Sequence, residues 1–399
     1  MNREWARGSQ HVTVIGCDGR PAGSDATKAL AEARTVIGAP RHLSAALIPE
    51  TAERIELRHL DEALDAIAAR EGPTAVLASG DPGFFGIVRA LRARGITPYV
   101  IPAVSSVADA FARIGLDWDD ALVLSAHGRD PNQALAAALA HPKAAILTAP
   151  GTAAGLARDL HAAGKRVYAV ELLGTPEEKV SVLPAETGPA DPNILISLDE
   201  HDTAGPPRWL AGHPGAPDGW ALPEDAFEHR DSMITKPEVR ALVLARLGPA
   251  PGRTIWDVGA GSGSVAVECA RFGAWVIAIE SDPAQCEKIR RNAERHHVRL
   301  RVHHGRAPEA LIGLPPADAV FAGGGDHTVL AAAIRLASPR TVVVTLAAVQ
   351  RVGETATLLA GQGYRADGVQ LQASRLKPLP GGNHRLAAQN PVFVLWGQR

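Results

Sequence analysis

A glycine-rich segment near the middle of the chain contains the residue types that a nucleoside-binding turn requires. An apolar run leads into Asp257-Val258-Gly259-Ala260-Gly261-Ser262-Gly263-Ser264, and a second such run ends at Glu280. Glycines let the backbone turn tightly and approach a ligand with its amides exposed, and a carboxylate about twenty residues further on can accept hydrogen bonds from ribose hydroxyls. The pattern therefore predicts an adenine nucleoside bound by Gly259, Ala260, Gly261, Ser262, Gly263 and Glu280.

The neighbours of these glycines favour one cofactor class over another. The third glycine of a dinucleotide fingerprint would fall at position 264, where Ser264 stands. Asp257 directly precedes the turn, where its charge would repel a pyrophosphate but not a sulfonium cofactor with an amino-acid tail. We therefore expect S-adenosylmethionine rather than a dinucleotide. A turn that only packs a helix against a strand would leave Glu280 without a role.

Two further segments in the first half follow strand-like runs and could bind a ligand. They are Ala78-Ser79-Gly80-Asp81-Pro82-Gly83-Phe84-Phe85-Gly86 and Pro102-Ala103-Val104-Ser105-Ser106-Val107. Small residues and hydroxyls at consecutive strand ends leave room for a ligand and supply hydrogen-bond donors to it. We expect a second binding site there.

The elements that position these segments alternate between strand and helix patterns. In the second half, strand-like runs lie at 254–258, 275–279, 299–302, 317–321 and 342–346, with helical patterns such as 283–296 and 328–336 between them. Such alternation predicts a mostly parallel sheet, covered by helices, with ligands at the carboxyl ends of its strands. Residues 391–396 predict a final antiparallel strand at or beside the edge. The first half also alternates, with strand-like runs at 12–15, 74–77, 97–101, 122–124, 145–147, 167–170 and 194–198.

Repeated proline and glycine divide the chain. Residues 201–230 neither continue a helix nor suit a central strand, so they predict a linker. The expected domains are 1–200, with lobes of about 11–115 and 116–200, and 231–399. The expected fold class is α/β throughout.

Composition excludes several classes of partner and site. The net charge is −2, aromatic content is 4%, and no basic run of five residues occurs, so we expect no nucleic-acid partner. No export signal or long apolar run predicts a membrane partner. The three cysteines are far apart and odd in number, which predicts neither a disulfide framework nor a Cys-x-x-Cys metal site. We expect a cytoplasmic protein without a metal.

Five blocks of the first half together resemble the tetrapyrrole methylase family, the class III methyltransferases. They are Val14-Ile15-Gly16, Ser79-Gly80-Asp81-Pro82-Gly83, Val104-Ser105-Ser106, Ser125-Ala126-His127-Gly128-Arg129 and Val170-Glu171-Leu172-Leu173-Gly174. The resemblance implies two α/β lobes that clasp S-adenosylmethionine, with Gly80, Asp81, Ser105 and Ser106 as contacts. The family's first loop is Gly-x-Gly-Pro-Gly, whereas this chain has Gly16-Cys17-Asp18-Gly19-Arg20.

The second half resembles the cobalamin-pathway methyltransferases of the Rossmann-like, seven-stranded class I. The matching blocks are Met233-Ile234-Thr235-Lys236-Pro237-Glu238-Val239-Arg240, Gly305-Arg306-Ala307-Pro308-Glu309-Ala310-Leu311 and Ala322-Gly323-Gly324-Gly325. The resemblance implies that Thr235 and Ala307 line the cofactor site together with the glycine turn and Glu280. One cofactor per domain is expected.

The order of the two halves resembles the bifunctional C-methyltransferases of corrin-ring synthesis. The resemblance implies that one half methylates carbon 5 of a precorrin, a reduced tetrapyrrole, while the other methylates carbon 15 and decarboxylates the ring C acetate. It also implies a homo-oligomer. An alternative is a methyltransferase acting on RNA or protein, with the first half a binding or assembly module.

The substrate carboxylates require local cations, best supplied by arginine in forked contacts. The candidates for substrate binding and catalysis are His127, Arg129, Lys236, Arg375 and Arg385. The last two are expected in a loop before the final strand. Because a sulfonium methyl is already electrophilic, the protein need only hold a carbon nucleophile in line with it and exclude water.

Overall fold

The computed structural model describes residues 12–57, 60–184, 188–199, 211–212, 217, 219–230, 234–324 and 326–399. The chain forms two compact units. The first comprises Met1–Arg129 and Lys143–Gly212, and the second comprises Asp130–Pro142 and His213–Arg399. Within the predicted linker, residues 201–210, 213–216 and 218 lie outside the described residues.

The first unit begins with a five-stranded, all-parallel sheet. Its strands are β1 (Val12–Cys17), β2 (Thr35–Gly38), β3 (Glu53–Glu56), β4 (Thr74–Ser79) and β5 (Tyr99–Ile101), in the order β3-β2-β4-β1-β5. The helices are α1 (Ser24–Glu32), α2 (Pro40–Ala45), α3 (Leu60–Ala68), α4 (Ile87–Ala93) and α5 (Ser106–Ile114). Separate apolar clusters around Val14 and Val36 show that both faces of the sheet are buried.

A second five-stranded sheet completes this unit. It contains β6 (Leu122–Ser125), β7 (Lys143–Leu147), β8 (Lys165–Glu171), β9 (Lys179–Val182) and β10 (Asn193–Asp199), in the order β6-β7-β10-β8-β9. Only β6 and β7 pair in parallel. Helix α6 (Pro131–Ala140) groups with the second unit, and α7 (Ala153–Ala162) with the first.

The second unit contains a seven-stranded sheet in the order β13-β12-β11-β14-β15-β19-β16. Its strands are β11 (Thr254–Val258), β12 (Trp275–Glu280), β13 (Arg301–His304), β14 (Ala319–Gly323), β15 (Thr341–Leu346), β16 (Arg365–Leu371) and β19 (Val392–Gln398). The helices are α8 (Pro237–Leu247), α9 (Ser264–Arg271), α10 (Pro283–Arg295), α11 (His327–Ala337) and α12 (Gln350–Gly361). As predicted, the last strand is antiparallel and lies next to the edge strand.

The segment before the last strand differs from the expected loop. It forms a hairpin of β17 (Ser374–Pro378) and β18 (His384–Ala388). Leu376 pairs with Leu386 across the hairpin, and Gly381 and Gly382 adopt positive φ in its turn. The prediction of a loop was wrong because Pro380, Gly381 and Gly382 form the turn between the two strands of a hairpin.

None of the helices in the described residues combines the length and apolar character that crossing a bilayer requires.

Candidate functional sites

The glycine turn lies at the carboxyl end of the central strand β11, as its sequence predicts. Gly259, Gly261 and Gly263 all have positive φ, a conformation that other L-residues rarely adopt. A Cβ added at Gly259 or Gly261 would meet nothing within 4 Å, so the space above the turn is open. At Gly263 a Cβ would lie 2.9 Å from Ile289, so this glycine lets α9 pack closely against α10. The first two glycines therefore face ligand space, and the third serves packing.

Glu280 is hydrogen-bonded to the turn that it was predicted to assist. Its Oε2 accepts from the amide of Gly261 at 2.8 Å, and its Oε1 accepts from the amides of Ser281 and Asp282 at 2.8 and 2.9 Å. A carboxylate oxygen can accept more than one hydrogen bond, so Oε2 retains capacity for a ribose hydroxyl. The fit to an adenine nucleoside is therefore good at both the turn and the carboxylate.

A buried ion pair links the glycine turn's helix to the segment before α8. Arg240 and Glu268 are fully buried and pair at 2.7 Å. Glu268 also accepts from the amides of Ala221 and Leu222, while Arg240 donates to the carbonyls of Leu222 and Thr235. The end of the predicted linker thus packs onto the second unit, and Thr235 is tied to α9 through Arg240.

Asn292 provides a second link to the turn. Its side chain is buried, and its amide donates to the carbonyl of Ser262 at 2.8 Å and to the carbonyl of Glu228 at 2.9 Å. Asn292, a residue outside the turn for which the sequence predicted no role, therefore fixes the position of Ser262. Ala260 donates its amide to the carbonyl of Ile279, which joins the turn to β12.

Asp257, whose charge guided the choice of cofactor, is buried beneath the turn. Its Oδ2 accepts from the amide of Ala266 at 3.0 Å, and its Oδ1 has no hydrogen-bond partner among the described residues. Burial raises the pKa of Asp257 to about 7. Its average charge near neutral pH is therefore smaller than the full negative charge expected from the sequence.

Ala307 follows β13, whose end is joined to Glu280. The amide of Gly305 donates to the carbonyl of Glu280 at 2.9 Å, so the loop bearing Ala307 starts beside this residue. Ala307 itself is half-buried against the apolar cluster around Trp256. Its predicted cofactor contact stays a prediction.

Two of the predicted substrate cations lie together in one ion-pair cluster. Arg375 makes a forked contact with Glu238, at 3.0 Å to each carboxylate oxygen, and also contacts Glu224 at 2.7 Å. Lys236 pairs with the other oxygen of Glu224. Hydrogen bonding by Arg375 lowers the pKa of Glu238, and both carboxylates raise the pKa of Arg375. The two cations are thus balanced by two carboxylates that connect the hairpin to the start of α8.

Arg385 differs from Arg375 in its environment. In the hairpin, Arg385 pairs with Lys377. Ala387, two residues after Arg385, pairs with Arg375. Residues two apart point to the same side of a strand, so Arg375, Lys377 and Arg385 share one face of the hairpin. Arg385 is exposed. Among the described residues, no ion pair to Arg385 is found.

The first unit contains a cleft of about 600 Å³ lined by both of its sheets. The predicted cofactor residues Gly80, Asp81, Ser105 and Ser106 all line it. Gly80 has positive φ, and its amide donates to the carbonyl of Cys17 at 2.7 Å. A cleft of this size, with backbone groups and hydroxyls at strand ends, fits a nucleoside cofactor.

The altered first loop also contributes to this cleft, through Cys17, Asp18 and Gly19. Arg20 pairs with Asp18 at 2.9 Å and with Asp109 at 2.7 Å, which fixes the loop against α5. Gly19 has positive φ and approaches Gly174 so closely that a Cβ would lie 2.0 Å from its carbonyl oxygen. The loop therefore keeps the close backbone packing that glycines permit, although its sequence departs from the family pattern.

His127 lines the cleft, whereas Arg129 stacks above Phe85, with its guanidinium carbon 5.4 Å from the ring centroid. Phe84 and Phe85 are both partly exposed at the cleft and contact each other edge to face. Phe85 has φ of 53°, a strained conformation for an aromatic residue. Both rings lie in a segment that was predicted to bind a ligand, but no role was predicted for the rings themselves.

A polar trio at the same cleft was missed. Arg41 donates to the Ser79 hydroxyl at 2.7 Å, and His42 Nε2 lies 2.9 Å from that hydroxyl. All three residues line the cleft. Burial, with a further contribution from Arg41, lowers the pKa of His42 to about 4, so the ring is neutral at pH 7. Nothing in the sequence spacing signals the trio, because 37 residues separate His42 from Ser79.

In the part of the chain that the structure describes, one group of three possible metal ligands is found, formed by Asp117, Asp119 and Asp120. Asp120 pairs with the Lys143 ammonium at 2.8 Å. His296 and His304 contact backbone carbonyls through Nε2.

The sequence matches two protein families, one in each half. Residues 23–187 match the tetrapyrrole (corrin/porphyrin) methylases, and residues 225–398 match the precorrin methyltransferase domain. Together with the folds and the two sites, these matches define an α/β enzyme that joins a two-lobed tetrapyrrole methylase domain to a Rossmann-like methyltransferase domain.

Two relatives whose similarity covers most of this chain identify its family more specifically. The chain is 38% identical over 354 residues to the precorrin-6Y C(5,15)-methyltransferase (decarboxylating) of a Sinorhizobium species, covering 84% of this chain and 83% of the relative. It is 33% identical over 327 residues to the protein so named in Mycobacterium tuberculosis CDC 1551, covering 79% and 80%. The chain belongs to the precorrin-6Y C(5,15)-methyltransferase (decarboxylating) family and is an S-adenosylmethionine-dependent methyltransferase.

A shorter relative matches the second half alone. The cobalt-precorrin-6B C(15)-methyltransferase (decarboxylating) of Salmonella typhimurium LT2 is 38% identical over 176 residues, which cover 42% of this chain and 89% of the relative. None of these three relatives is named for an RNA or protein substrate, so the alternative function gains no support.

Proposed function

We propose that this chain carries two methyl-transfer sites and works as a bifunctional enzyme of corrin-ring synthesis. The first domain, 1–200, methylates carbon 5 of a precorrin-6 intermediate. The second, 231–399, methylates carbon 15 and decarboxylates the ring C acetate to give precorrin-8, and 201–230 connects them. One observation supports this most strongly: each compact unit has its own glycine-containing site at the carboxyl ends of parallel strands.

Each site would hold one S-adenosylmethionine, which supplies an electrophilic methyl group. In the second unit, Gly259 and Gly261 leave space for the nucleoside, and Glu280 accepts hydrogen bonds from its ribose. In the first unit, Gly80, Asp81, Ser105 and Ser106 line the cofactor part of the cleft. The residues of each site hold the reacting carbon in line with the methyl group and exclude water.

The substrate carboxylates would be bound by exposed cations near each site. In the second unit, Arg385 is the strongest candidate, because Arg375 and Lys236 are already balanced by Glu224 and Glu238. Arg375 then positions the hairpin. In the first unit, His127 lines the cleft, and Arg129 stacks on the neighbouring Phe85.

We also propose a cytoplasmic homo-oligomer. The cysteines Cys17, Cys269 and Cys286 are all free, as a reducing compartment favours.

Leu376 and Leu386 are 70% and 67% exposed on one face of the hairpin, where a second copy could cover them. Sedimentation of the intact protein and of a Leu376→Ser, Leu386→Ser variant tests this: the oligomer should weaken in the variant, and a monomeric parent would refute it.

The function is tested by giving the intact protein a precorrin-6 substrate and ¹³C-methyl-labelled S-adenosylmethionine. The expected product has gained two methyl groups, at carbons 5 and 15, and lost one carbon dioxide. Mass spectrometry and ¹³C NMR identify both changes. No transfer to either carbon would refute the proposal.

Site variants assign each methylation to a unit. Glu280→Ala removes the ribose-binding carboxylate, so we expect the carbon 15 methyl to be lost while the carbon 5 methyl still forms. Glu287→Ala is the matched control, because Glu287 is an exposed carboxylate of α10 paired with Arg290. Loss of the carbon 5 methyl alone in Glu280→Ala would reverse the assignment.

A further inference from the structure

Arg41 is a cation at the cleft of the first unit whose charge is not balanced by a carboxylate within the described residues. Other arginines of this unit differ: Arg20, Arg70, Arg94 and Arg113 each pair with Asp or Glu. The side chain of Arg41 lines the cleft, and its described hydrogen bond goes to the neutral Ser79 hydroxyl. Its remaining N–H groups are available to an anion.

The neighbours of Arg41 fix the orientation of its guanidinium. Because His42 is neutral at pH 7, its Nε2 can accept the Ser79 hydroxyl proton. The Ser79 oxygen then keeps its lone pairs for the Arg41 N–H. A guanidinium held in this way loses less side-chain entropy when it binds a second partner.

The topology separates Arg41 from the predicted cofactor contacts. Gly80 and Asp81 follow β4, the altered loop follows β1, and Ser105 follows β5, which places them on the β4-β1-β5 side of the sheet. Arg41 follows β2, on the other side of β4. Ser79, the last residue of β4, joins the two groups. A ligand at Arg41 would therefore lie next to the cofactor rather than in its place.

We propose that Arg41, oriented by Ser79 and His42, forms a carboxylate-binding subsite of the first unit that takes an acetate or propionate side chain of the tetrapyrrole. The subsite rests on the proposed function of this unit. It places an anchored side chain of the substrate one strand away from the Gly80 loop. Phe84 and Phe85, exposed at the same cleft, offer an apolar surface for the ring itself.

The carboxylate of the cofactor's amino-acid tail is a second group that a guanidinium at this position could bind. Substitution of Arg41 distinguishes this carboxylate from those of the tetrapyrrole. Arg41→Gln in the intact chain removes the charge but keeps a polar side chain of similar reach. Arg92→Gln is the control, since Arg92 is exposed on α4 and does not line the cleft. For Arg41→Gln we expect the KM for the tetrapyrrole in carbon 5 methylation to rise about tenfold or more, with kcat nearly unchanged. The affinity for S-adenosylmethionine, measured by calorimetry, should not change.

Arg41→Lys keeps the charge but not the fork, so its KM should lie between those of the parent and Arg41→Gln. Weaker cofactor binding with an unchanged tetrapyrrole KM would assign the subsite to the cofactor and overturn the proposal. Unchanged values for both ligands would show that Arg41 binds neither, which also overturns it.

Failure of the proposed function would be recognisable separately. If the parent protein transfers no methyl to carbon 5, the function fails in the parent as well as in the variants. Binding of the tetrapyrrole without turnover, followed by its absorbance, then still tests Arg41. Equal affinity of the parent and Arg41→Gln would refute the subsite, and weaker binding by the variant would support it.

Discussion

Burial changes the ionisation of Asp257, which the sequence alone predicts to be a charged carboxylate. Asp257 is 1% exposed, and one of its carboxylate oxygens has no hydrogen-bond partner among the described residues. Burial outweighs its hydrogen bond from Ala266 and raises its pKa from 3.8 to about 7. The folded protein therefore holds a proton here that the unfolded chain releases at much lower pH.

This difference predicts a pH dependence of stability. Because the folded pKa lies above the unfolded one, the folded state is favoured at low pH and loses stability as pH rises from about 4 to 7. The cost is up to about 4 kcal/mol above pH 7, at roughly 1.4 kcal/mol per pKa unit. Asp257→Asn cannot ionise, so its stability relative to the parent should increase by this amount between pH 4 and pH 8.

Urea unfolding of both proteins across this range measures the effect. The Asn oxygen can still accept from the Ala266 amide, so the substitution removes the charge and little else. Parallel stability curves for the parent and Asp257→Asn would mean that the Asp257 pKa is not raised by folding.

At the scale of elements, one buried ion pair joins α9, the helix that follows the glycine turn, to α8 and to the segment before it. Arg240 on α8 and Glu268 on α9 are both fully buried, and their remaining hydrogen bonds go to the backbone of residues 221, 222 and 235. Through these contacts three segments that are distant in sequence meet behind the glycine turn. Removing one partner leaves the other charge buried and unpaired.

We expect Arg240→Met to lower the free energy of unfolding by about 3–5 kcal/mol. The control is Arg290→Met, which breaks the exposed pair with Glu287 and should cost little. Denaturant unfolding, monitored by the fluorescence of the tryptophans, measures both. Equal losses in the two variants would show that the buried pair has no special role.

Several strands that are buried on both faces could be predicted from sequence, whereas some exposed strands, such as β16, could not. The runs at β11, β12 and β15 are mostly apolar and mostly buried, as expected for strands of a sheet that is covered on both sides. The edge strand β16 reads Arg-Ala-Asp-Gly-Val-Gln-Leu and is mostly exposed, so its strand conformation comes from pairing with β19. Strands β2, β3 and β9 were also missed, and each has only four residues.

The same limit applies to the sites. Motif residues such as Gly259 and Glu280 are linked by one strand-turn-helix unit, so their spacing in sequence is informative. The pairs Arg41–Ser79 and Arg375–Glu224 are 38 and 151 residues apart and meet only because of strand order and the hairpin. The residues around Arg375 in the sequence are basic, so they did not indicate that Glu224 and Glu238 would pair with it.

At the scale of the whole molecule, the chain combines two compact units with two unrelated sheet topologies. One unit has two five-stranded sheets and a cleft of about 600 Å³, and the other has a single seven-stranded sheet. Each half of the chain matches its own family, and relatives whose similarity covers about four fifths of the chain span both halves. We therefore expect the two units to bind cofactor independently.

Calorimetric titration of the intact protein with S-adenosylmethionine measures whether both units bind the cofactor. We predict two equivalents bound per chain, with one lost in Glu280→Ala and the other lost in Ser106→Trp, which fills the cleft of the first unit. A single equivalent in the parent protein, lost completely in either variant, would contradict the presence of two separate sites.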